Sequence, residues 1–224
     1  MMQPLPIRPV LIDQTYDRLL AAISDGTLPA GRRIRQEELA DILGVSRQPI
    51  SHALQILKRQ GLVAEAGKRG LTVAGIDAAR IQDLYQIRTV LDALASRLAA
   101  TRIARGEVGP ADWRAVESAL AEGASLPPTA AIGTFVAADV AFHTTIYRLS
   151  GNGAVEETVA AQWPHLMRSM AVVLTGVDLR GRFWSEHRAI WQAIRSGDAE
   201  AASAIASAHT AAASAETCRR LSAG

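Results

Sequence analysis

The chain has 224 residues, of which 49% are hydrophobic and 4% aromatic, and its formal net charge is +2. This length suits one large or two modest domains, and an alanine-dominated apolar content favours packed helices over a β sandwich. The single cysteine, Cys218, excludes a disulfide framework and a zinc–thiolate site within one chain. Because no segment resembles a signal peptide or a membrane span, we expect a soluble, cytoplasmic protein that binds no membrane.

Residues 1–75 are predicted to form the first domain. Three amphipathic helices are expected in "TYDRLLAAISDG", "RQEELADILGV" and "RQPISHALQILKRQG", and each ends at a glycine. Ser46 offers an N-cap to the third helix, and Pro49 falls in its first turn, where no helical N–H bond is lost. The segments "LVAEA" and "LTVAG", joined by "GKRG", predict a β-hairpin with a basic tip.

Three helices followed by a hairpin are typical of a winged helix-turn-helix. The outer face of the third helix is polar and almost uncharged, which suits base edges in a major groove, and basic side chains beside it suit phosphates or a minor groove. A polar helix face can instead be merely solvated, but the order of the elements favours DNA binding. The predicted contacts to double-stranded DNA are Arg35, Arg47, Gln48, Ser51, His52, Lys68 and Arg69.

The stretch "GVSRQPISHALQILKRQGLVAEAGKRG" resembles the DNA-binding domain of GntR-type bacterial regulators. The family string is Gly-Val-Ser-Arg-x-Pro-Val-Arg-Glu-Ala-Leu, followed by Gly-Leu-Val and a glycine-containing wing. The matching residues are Gly44, Val45, Ser46, Arg47, Pro49, Ala53, Leu54, Gly61, Leu62, Val63 and Gly70. The chain has Ser51-His52 where the family has Arg-Glu, and Glu37-Glu38 where one branch places an arginine. The resemblance therefore implies operator binding without indicating the operator sequence.

Residues 76–224 are predicted to form an all-α bundle of about six helices, so the fold class is mainly α. Asp77 can cap a long helix over 78–104, in which leucines and isoleucines recur at spacings of three and four. Further helices are expected over 111–124, 133–152, 154–174, 178–196 and 199–220. Pro164 predicts a kink within the segment 154–174.

One face of the helix over 133–152 carries two polar side chains among apolar ones. Asp139 and His143 are four residues apart and therefore share a helix face. His187 and His209 lie on the expected inner faces of two later helices. A carboxylate and three imidazoles suit Zn²⁺, Ni²⁺, Mn²⁺ or Fe²⁺, and a cation would offset the cost of burying the carboxylate. Each histidine alone is more often an ordinary core residue, so spacing does not decide between the two interpretations.

The same residues resemble the metal-binding pattern of the FadR-like branch of GntR regulators, whose all-helical C-terminal effector domain is of the FCD type. The pattern is Asp-x-x-x-His, then Glu-His, then His in the last helix, and Asp139, His143, His187 and His209 match it. The resemblance places Arg88 at the effector pocket. Arg88 can alternatively pair with Asp92, four residues on, across a solvated face.

The sequence as a whole predicts a ligand-responsive transcriptional regulator, a repressor in the commoner family mode, which forms a homodimer. A small carboxylate effector, held by the divalent metal and Arg88, would bias the placement of the two winged helices on operator DNA. One alternative is a helical metalloenzyme that uses Asp139, His143, His187 and His209, and another is the same regulator without metal. No general base is evident for an enzyme, since Glu186 is expected to point away from the site.

Overall fold

The computed structural model describes residues 10–67 and 70–222, which form two compact units, Met1–Ile76 and Asp77–Gly224. The first unit contains α1 (Val10–Ser24), β1 (Arg33–Ile34), α2 (Gln36–Leu43), α3 (Arg47–Arg59), β2 (Val63–Ala66) and β3 (Gly70–Val73). The second contains α4 (Ala78–Ala104), α5 (Pro110–Ala124), α6 (Ile132–Ser150), α7 (Gly153–Ala160), α8 (Trp163–Val173), α9 (Val177–Arg195) and α10 (Ala199–Leu221). The fold class is therefore mainly α, as predicted.

The first unit is a winged helix-turn-helix built around one small core. Gly44 ends α2 in the left-handed conformation, at φ +64°, which a residue without Cβ adopts freely and which turns the chain into α3. Ile50, Leu54 and Leu57 of α3 are fully buried in that core. Ser46 occupies the N-cap position of α3, but its side chain makes no capping hydrogen bond.

The predicted hairpin is present and carries a third strand. β2 and β3 pair antiparallel, with Val63 opposite Val73 and Ala66 opposite Gly70, and β1 adds to the other edge of β3. The sequence did not predict β1, because two residues are too short to show the alternation that identifies a strand. α1 begins at Val10, earlier than the predicted start at Thr15.

The second unit is an all-helical bundle in which α4 packs most extensively against α10. As predicted, Asp77 is the N-cap of α4. Its Oδ1 accepts hydrogen bonds from the backbone N–H groups of Ala79 and Arg80. The predicted helix over 154–174 is two helices, α7 and α8. Pro164 lies in the first turn of α8, where its missing N–H costs no hydrogen bond, so it begins a helix instead of kinking one. Within the described residues, no helix is long and apolar enough to cross a membrane.

The buried face of α4 combines small residues with a charged pair. Ala95 and Ala99 are fully buried and allow neighbouring helices to approach closely, while Arg88 and Asp92 are each 3% exposed on the same side. The exposed side of the helix carries three large apolar residues, Ile87, Val90 and Leu94. α4 therefore carries a charged pair into the interior of the bundle.

Gly123 of α5 provides a test of the packing in this bundle. A Cβ at Gly123 would lie 1.8 Å from Cη2 of Trp184, so Gly123→Ala should destabilise the unit by about 1–3 kcal/mol through overpacking. Urea unfolding followed by tryptophan fluorescence measures this, since all four tryptophans lie in the second unit. Gly153→Ala is the control, because a Cβ there meets nothing within 4 Å. Equal stability of the two variants would contradict the packing of Trp184 against α5.

Candidate functional site

The structure brings together the four residues predicted as metal ligands, which come from three helices. Asp139 and His143 lie on α6, His187 on α9 and His209 on α10. The three histidines are buried, and ring nitrogens from all three lie within 4.8 Å of one another. The side chain of Asp139 is 13% exposed beside them. We call these four residues the His–Asp cluster.

The distances within the His–Asp cluster suit a shared cation. Asp139 Oδ1 lies 3.3 Å from His187 Nε2, and Asp139 Oδ2 lies 3.7 Å from His143 Nε2. The Nε2 atoms of His187 and His209 are 3.2 Å apart. Metal–ligand bonds of about 2.0–2.2 Å hold neighbouring ligand atoms roughly 3–3.5 Å apart. The separations of His187 Nε2 from Asp139 and from His209 fall in this range, and that between His143 and Asp139 is slightly longer.

Burial keeps His143 and His187 neutral and leaves polar atoms without partners. It holds the pKa of His143 and of His187 well below the ordinary histidine value, and the positive charge of Arg88 acts in the same direction. Burial also raises the pKa of Asp139, although Arg88 and His209 oppose this shift. Among the residues that the structure describes, His143 Nε2 and His187 Nδ1 find no hydrogen-bond partner. Since unpaired buried polar atoms are costly, a cation bound by His143 Nε2 would offset part of this cost.

Glu186 fixes the orientation of one histidine, which the sequence did not predict. Its Oε2 lies 2.7 Å from His209 Nδ1, and its Oε1 lies 3.2 Å from Nε of Arg182. The hydrogen bond with His209 lowers the pKa of Glu186. If His209 donates from Nδ1 to Glu186, its Nε2 carries a lone pair directed at the cluster. Metal-binding histidines usually donate their other ring N–H to a carboxylate in this way. The expectation that Glu186 points away from the site is therefore wrong.

Arg88 is held beside the cluster by a buried network. Its Nε lies 3.3 Å from Asp92 Oδ2, and one terminal nitrogen lies 4.0 Å from Asp139 Oδ2. Asp92 also accepts hydrogen bonds from the hydroxyls of Tyr147 and Thr210. Burial opposes the charge of Arg88, but Asp92 and Tyr147 raise its pKa above the ordinary value. The pair with Asp92 exists, yet it is buried, so the interpretation as a solvated surface pair is wrong.

A small cavity opens beside the cluster. Arg88, Asp139 and His209 line it together with Tyr85 and apolar side chains from α8, α9 and α10. The centres of water molecules can occupy about 30 Å³ of this space. One water needs roughly 10–15 Å³, so the cavity is small and suits a short ligand better than a long one. A carboxylate and a guanidinium thus meet at a cavity of the size of a small ligand.

The predicted DNA-contacting residues that the structure describes lie on the first unit. Arg47, Gln48 and His52 are exposed on α3, Ser51 is half-buried, and Arg35 is exposed before α2. The guanidinium of Arg47 pairs with Glu37 of α2. Lys68 and Arg69 lie outside the described residues. The solvent-facing side of α3 is therefore polar, as a recognition helix requires.

The lowered pKa values of His143 and His187 predict that the metal-free protein loses stability in acid. Below about pH 6.5 the unfolded chain binds two protons at His143 and His187 that the folded chain does not bind. The free energy of unfolding therefore decreases as the pH decreases. The raised pKa of Asp139 acts in the opposite direction, because the folded protein takes up that proton at a higher pH than the unfolded chain does. Between pH 7.5 and 5.5 the free energy of unfolding in chelator should fall by about 1–3 kcal/mol, measured by urea denaturation.

Two variants check this assignment of the pH dependence. His187→Phe should remove about half of the slope contributed by the two buried histidines, since one of the two groups is gone. His52→Gln changes an exposed histidine of the first unit and should leave the slope unaltered. A wild-type slope in the His187→Phe protein would show that the cluster does not cause the acid sensitivity.

Comparisons with known proteins agree with this architecture. The family model described as "Bacterial regulatory proteins, gntR family" matches residues 11–73, and the FCD domain model matches residues 83–212. An uncharacterised HTH-type transcriptional regulator of Streptomyces ambofaciens is 31% identical over 82% of this chain and 75% of its own length. A "probable D-xylose utilization operon transcriptional repressor" of Paenarthrobacter nicotinovorans is 28% identical over 92% of this chain and 88% of the relative's length.

Solved structures show the same fold. E. coli McbR/YncC superposes with a TM-score of 0.80 at 18% identity, covering 94% of this chain and 98% of its own. A GntR-type regulator from Rhodococcus sp. RHA1 superposes with a TM-score of 0.77 at 24% identity. The superposition covers 92% of this chain and 96% of the Rhodococcus chain. The matched families and relatives are transcriptional regulators and not enzymes. The chain therefore belongs to the GntR family of bacterial transcriptional regulators, with an FCD domain after its winged helix.

Proposed function

We propose that this regulator is a cytoplasmic, homodimeric repressor that senses a small carboxylate at a metal site in its helical unit. The observation that carries the proposal is the His–Asp cluster, in which three buried imidazoles and a carboxylate converge beside a cavity lined by Arg88. Nothing in the packing of a helical bundle requires this group of polar atoms. A metal with a ligand next to it accounts for the donor atoms and for the cavity.

Asp139, His143, His187 and His209 would hold a divalent cation. Zn²⁺ suits this donor set best, and Ni²⁺, Mn²⁺ and Fe²⁺ also accept imidazole and carboxylate ligands. The ion would supply a Lewis-acidic position for a carboxylate oxygen of the effector. Arg88, fixed by Asp92, would pair with the same carboxylate through a charge-assisted hydrogen bond.

The winged helix would bind operator DNA as one of two copies in a dimer. The exposed face of α3 offers Gln48 and His52 to base edges, with Arg47 and Arg35 beside it for phosphates, and the wing residues Lys68 and Arg69 complete the predicted set. Two half-sites at fixed spacing make operator affinity sensitive to a small change in the dimer. The name of the Paenarthrobacter relative supports repression as the mode of action.

The switching function is tested by measuring operator affinity. DNA fragments selected by the purified protein from a random library would be titrated with metal-loaded protein, with and without butyrate, at matched salt concentration. We expect the carboxylate to change operator affinity by about 5–150-fold, the usual range of allosteric coupling. Equal affinity with a panel of small carboxylates and without them would refute the sensing role.

The alternative of a regulator without metal needs a separate measurement. Elemental analysis of protein purified without a metal-affinity tag should find about one divalent ion per chain. A metal content near zero, together with no change in thermal stability when Zn²⁺ is added, would favour the histidines as plain polar groups of the pocket.

A further inference from the structure

We infer that the effector is a small monocarboxylate with a short apolar tail. This inference rests on the proposed carboxylate-sensing function and narrows its ligand class. Four observations on the cavity beside the His–Asp cluster support it: the number of cations that line it, the apolar side chains of its lining, the engagement of its hydroxyl groups and its size.

A single guanidinium lines the described part of the cavity, that of Arg88. Another guanidinium buried close by, that of Arg180, donates to the carbonyl oxygens of Leu174 and Pro128 and does not line the cavity. One carboxylate of a ligand can therefore find partners at the cluster and Arg88. A second carboxylate that reached the apolar side chains of the lining would be buried without a counter-charge, and this cost disfavours dicarboxylates.

The apolar side chains of the cavity lining form what we call the apolar wall. It consists of Met170, Val173, Leu174, Phe183 and Ala213. The first four of these side chains are at most 7% exposed, so a ligand group that reaches them leaves water. An alkyl group fits this wall, whereas an added hydroxyl group would lose its hydrogen bonds to water there.

The hydroxyl groups that line the cavity are already engaged. Thr210 donates to Asp92, and Thr217 contacts the carbonyl oxygen of Ala213 and the hydroxyl of Tyr85. The protons of Thr210 and Thr217 are thus used within the protein, so the hydroxyl groups of a sugar acid would find few free donors there. The space open to the centres of water molecules, about 30 Å³, also favours a short ligand.

Butyrate and three close analogues test the inference. Succinate adds a second carboxylate, 4-hydroxybutyrate adds a hydroxyl, and butyramide removes the charge. Isothermal titration calorimetry of the metal-loaded full chain should show butyrate binding at least about a hundredfold more tightly than succinate. It should also bind about tenfold more tightly than 4-hydroxybutyrate, since apolar pockets reject an added hydroxyl only modestly.

The outcomes separate the inference from the proposed function. If succinate or 4-hydroxybutyrate binds as tightly as butyrate, the apolar monocarboxylate class is wrong while carboxylate sensing stands. If no carboxylate binds, or if butyramide binds as tightly as butyrate, carboxylate sensing itself fails and the inference fails with it.

A nearly isosteric variant tests the apolar wall directly. Val173→Thr places a hydroxyl on that wall with little change in volume, and it should reduce the preference for butyrate over 4-hydroxybutyrate by about three- to tenfold. Val172→Thr is the matched control, because Val172 neighbours Val173 but does not line the cavity. An unchanged preference in the Val173→Thr protein, with its fold intact by circular dichroism, would overturn the assignment of this wall to the ligand tail.

Discussion

Replacing His143 with leucine is expected to abolish metal binding and yet to leave the metal-free protein as stable as before, or more stable by about 1 kcal/mol. The two effects have one cause. His143 Nε2 is buried without a hydrogen-bond partner, so leucine removes an unpaired polar atom and fills a similar volume. The same change removes one of the four proposed ligands, so the remaining three hold the ion much more weakly.

Thermal unfolding with chelator and with Zn²⁺ measures both effects. At a free metal concentration of a thousand times Kd, binding stabilises the wild-type protein by about 4 kcal/mol, and the variant should show little of this gain. Elemental analysis should find about one ion per chain in the wild type and almost none in the variant.

His165→Leu is the control for this experiment. His165 is also a buried histidine of the helical unit, at 8% exposure, but it lies on α8 outside the His–Asp cluster. This variant should keep its metal and its response to Zn²⁺, whatever its effect on stability. Stoichiometric metal in the His143→Leu protein would show that the cluster is not the binding site.

The sequence predicted the helices of the bundle better than it predicted their buried faces. The bounds of α4, Ala78–Ala104, coincide with the prediction because Asp77 is a strong local cap. Its buried face could not be identified locally, since Arg88 and Asp92 lie inside while Ile87 and Val90 lie outside. Burial depends on which helix packs against α4, and that information is not contained in the segment itself.

The candidate site shows the same division between local and distant information. The pairing of Asp139 with His143 follows from their spacing of four residues on one helix. The contact between His209 and Glu186 joins residues 23 positions apart, and the hydrogen bonds of Asp92 reach partners 55 and 118 positions away. Spacing predicts none of these contacts, because they depend on how α4, α6, α9 and α10 pack.

Asp92 is the residue whose loss should destabilise the helical unit most. Its carboxylate is 3% exposed and accepts hydrogen bonds from Tyr147 and Thr210 while lying beside Arg88. Asp92→Ala would leave a buried guanidinium without its closest counter-charge and the Tyr147 hydroxyl without its acceptor, while Thr210 keeps the carbonyl oxygen of Ala206. We expect a loss of about 3–5 kcal/mol in the free energy of unfolding, measured in urea by tryptophan fluorescence.

Two further variants separate the charge of Asp92 from its hydrogen bonds. Asp92→Asn keeps one acceptor oxygen and should cost less than alanine, about 1–3 kcal/mol. The double variant Arg88→Met/Asp92→Leu removes both charges, and it should be more stable than Asp92→Ala alone, since no unpaired charge remains. It should also lose its response to butyrate, because Arg88 is gone. If the double variant were the least stable of the three, the cost of Asp92→Ala would arise from lost packing and not from the isolated guanidinium.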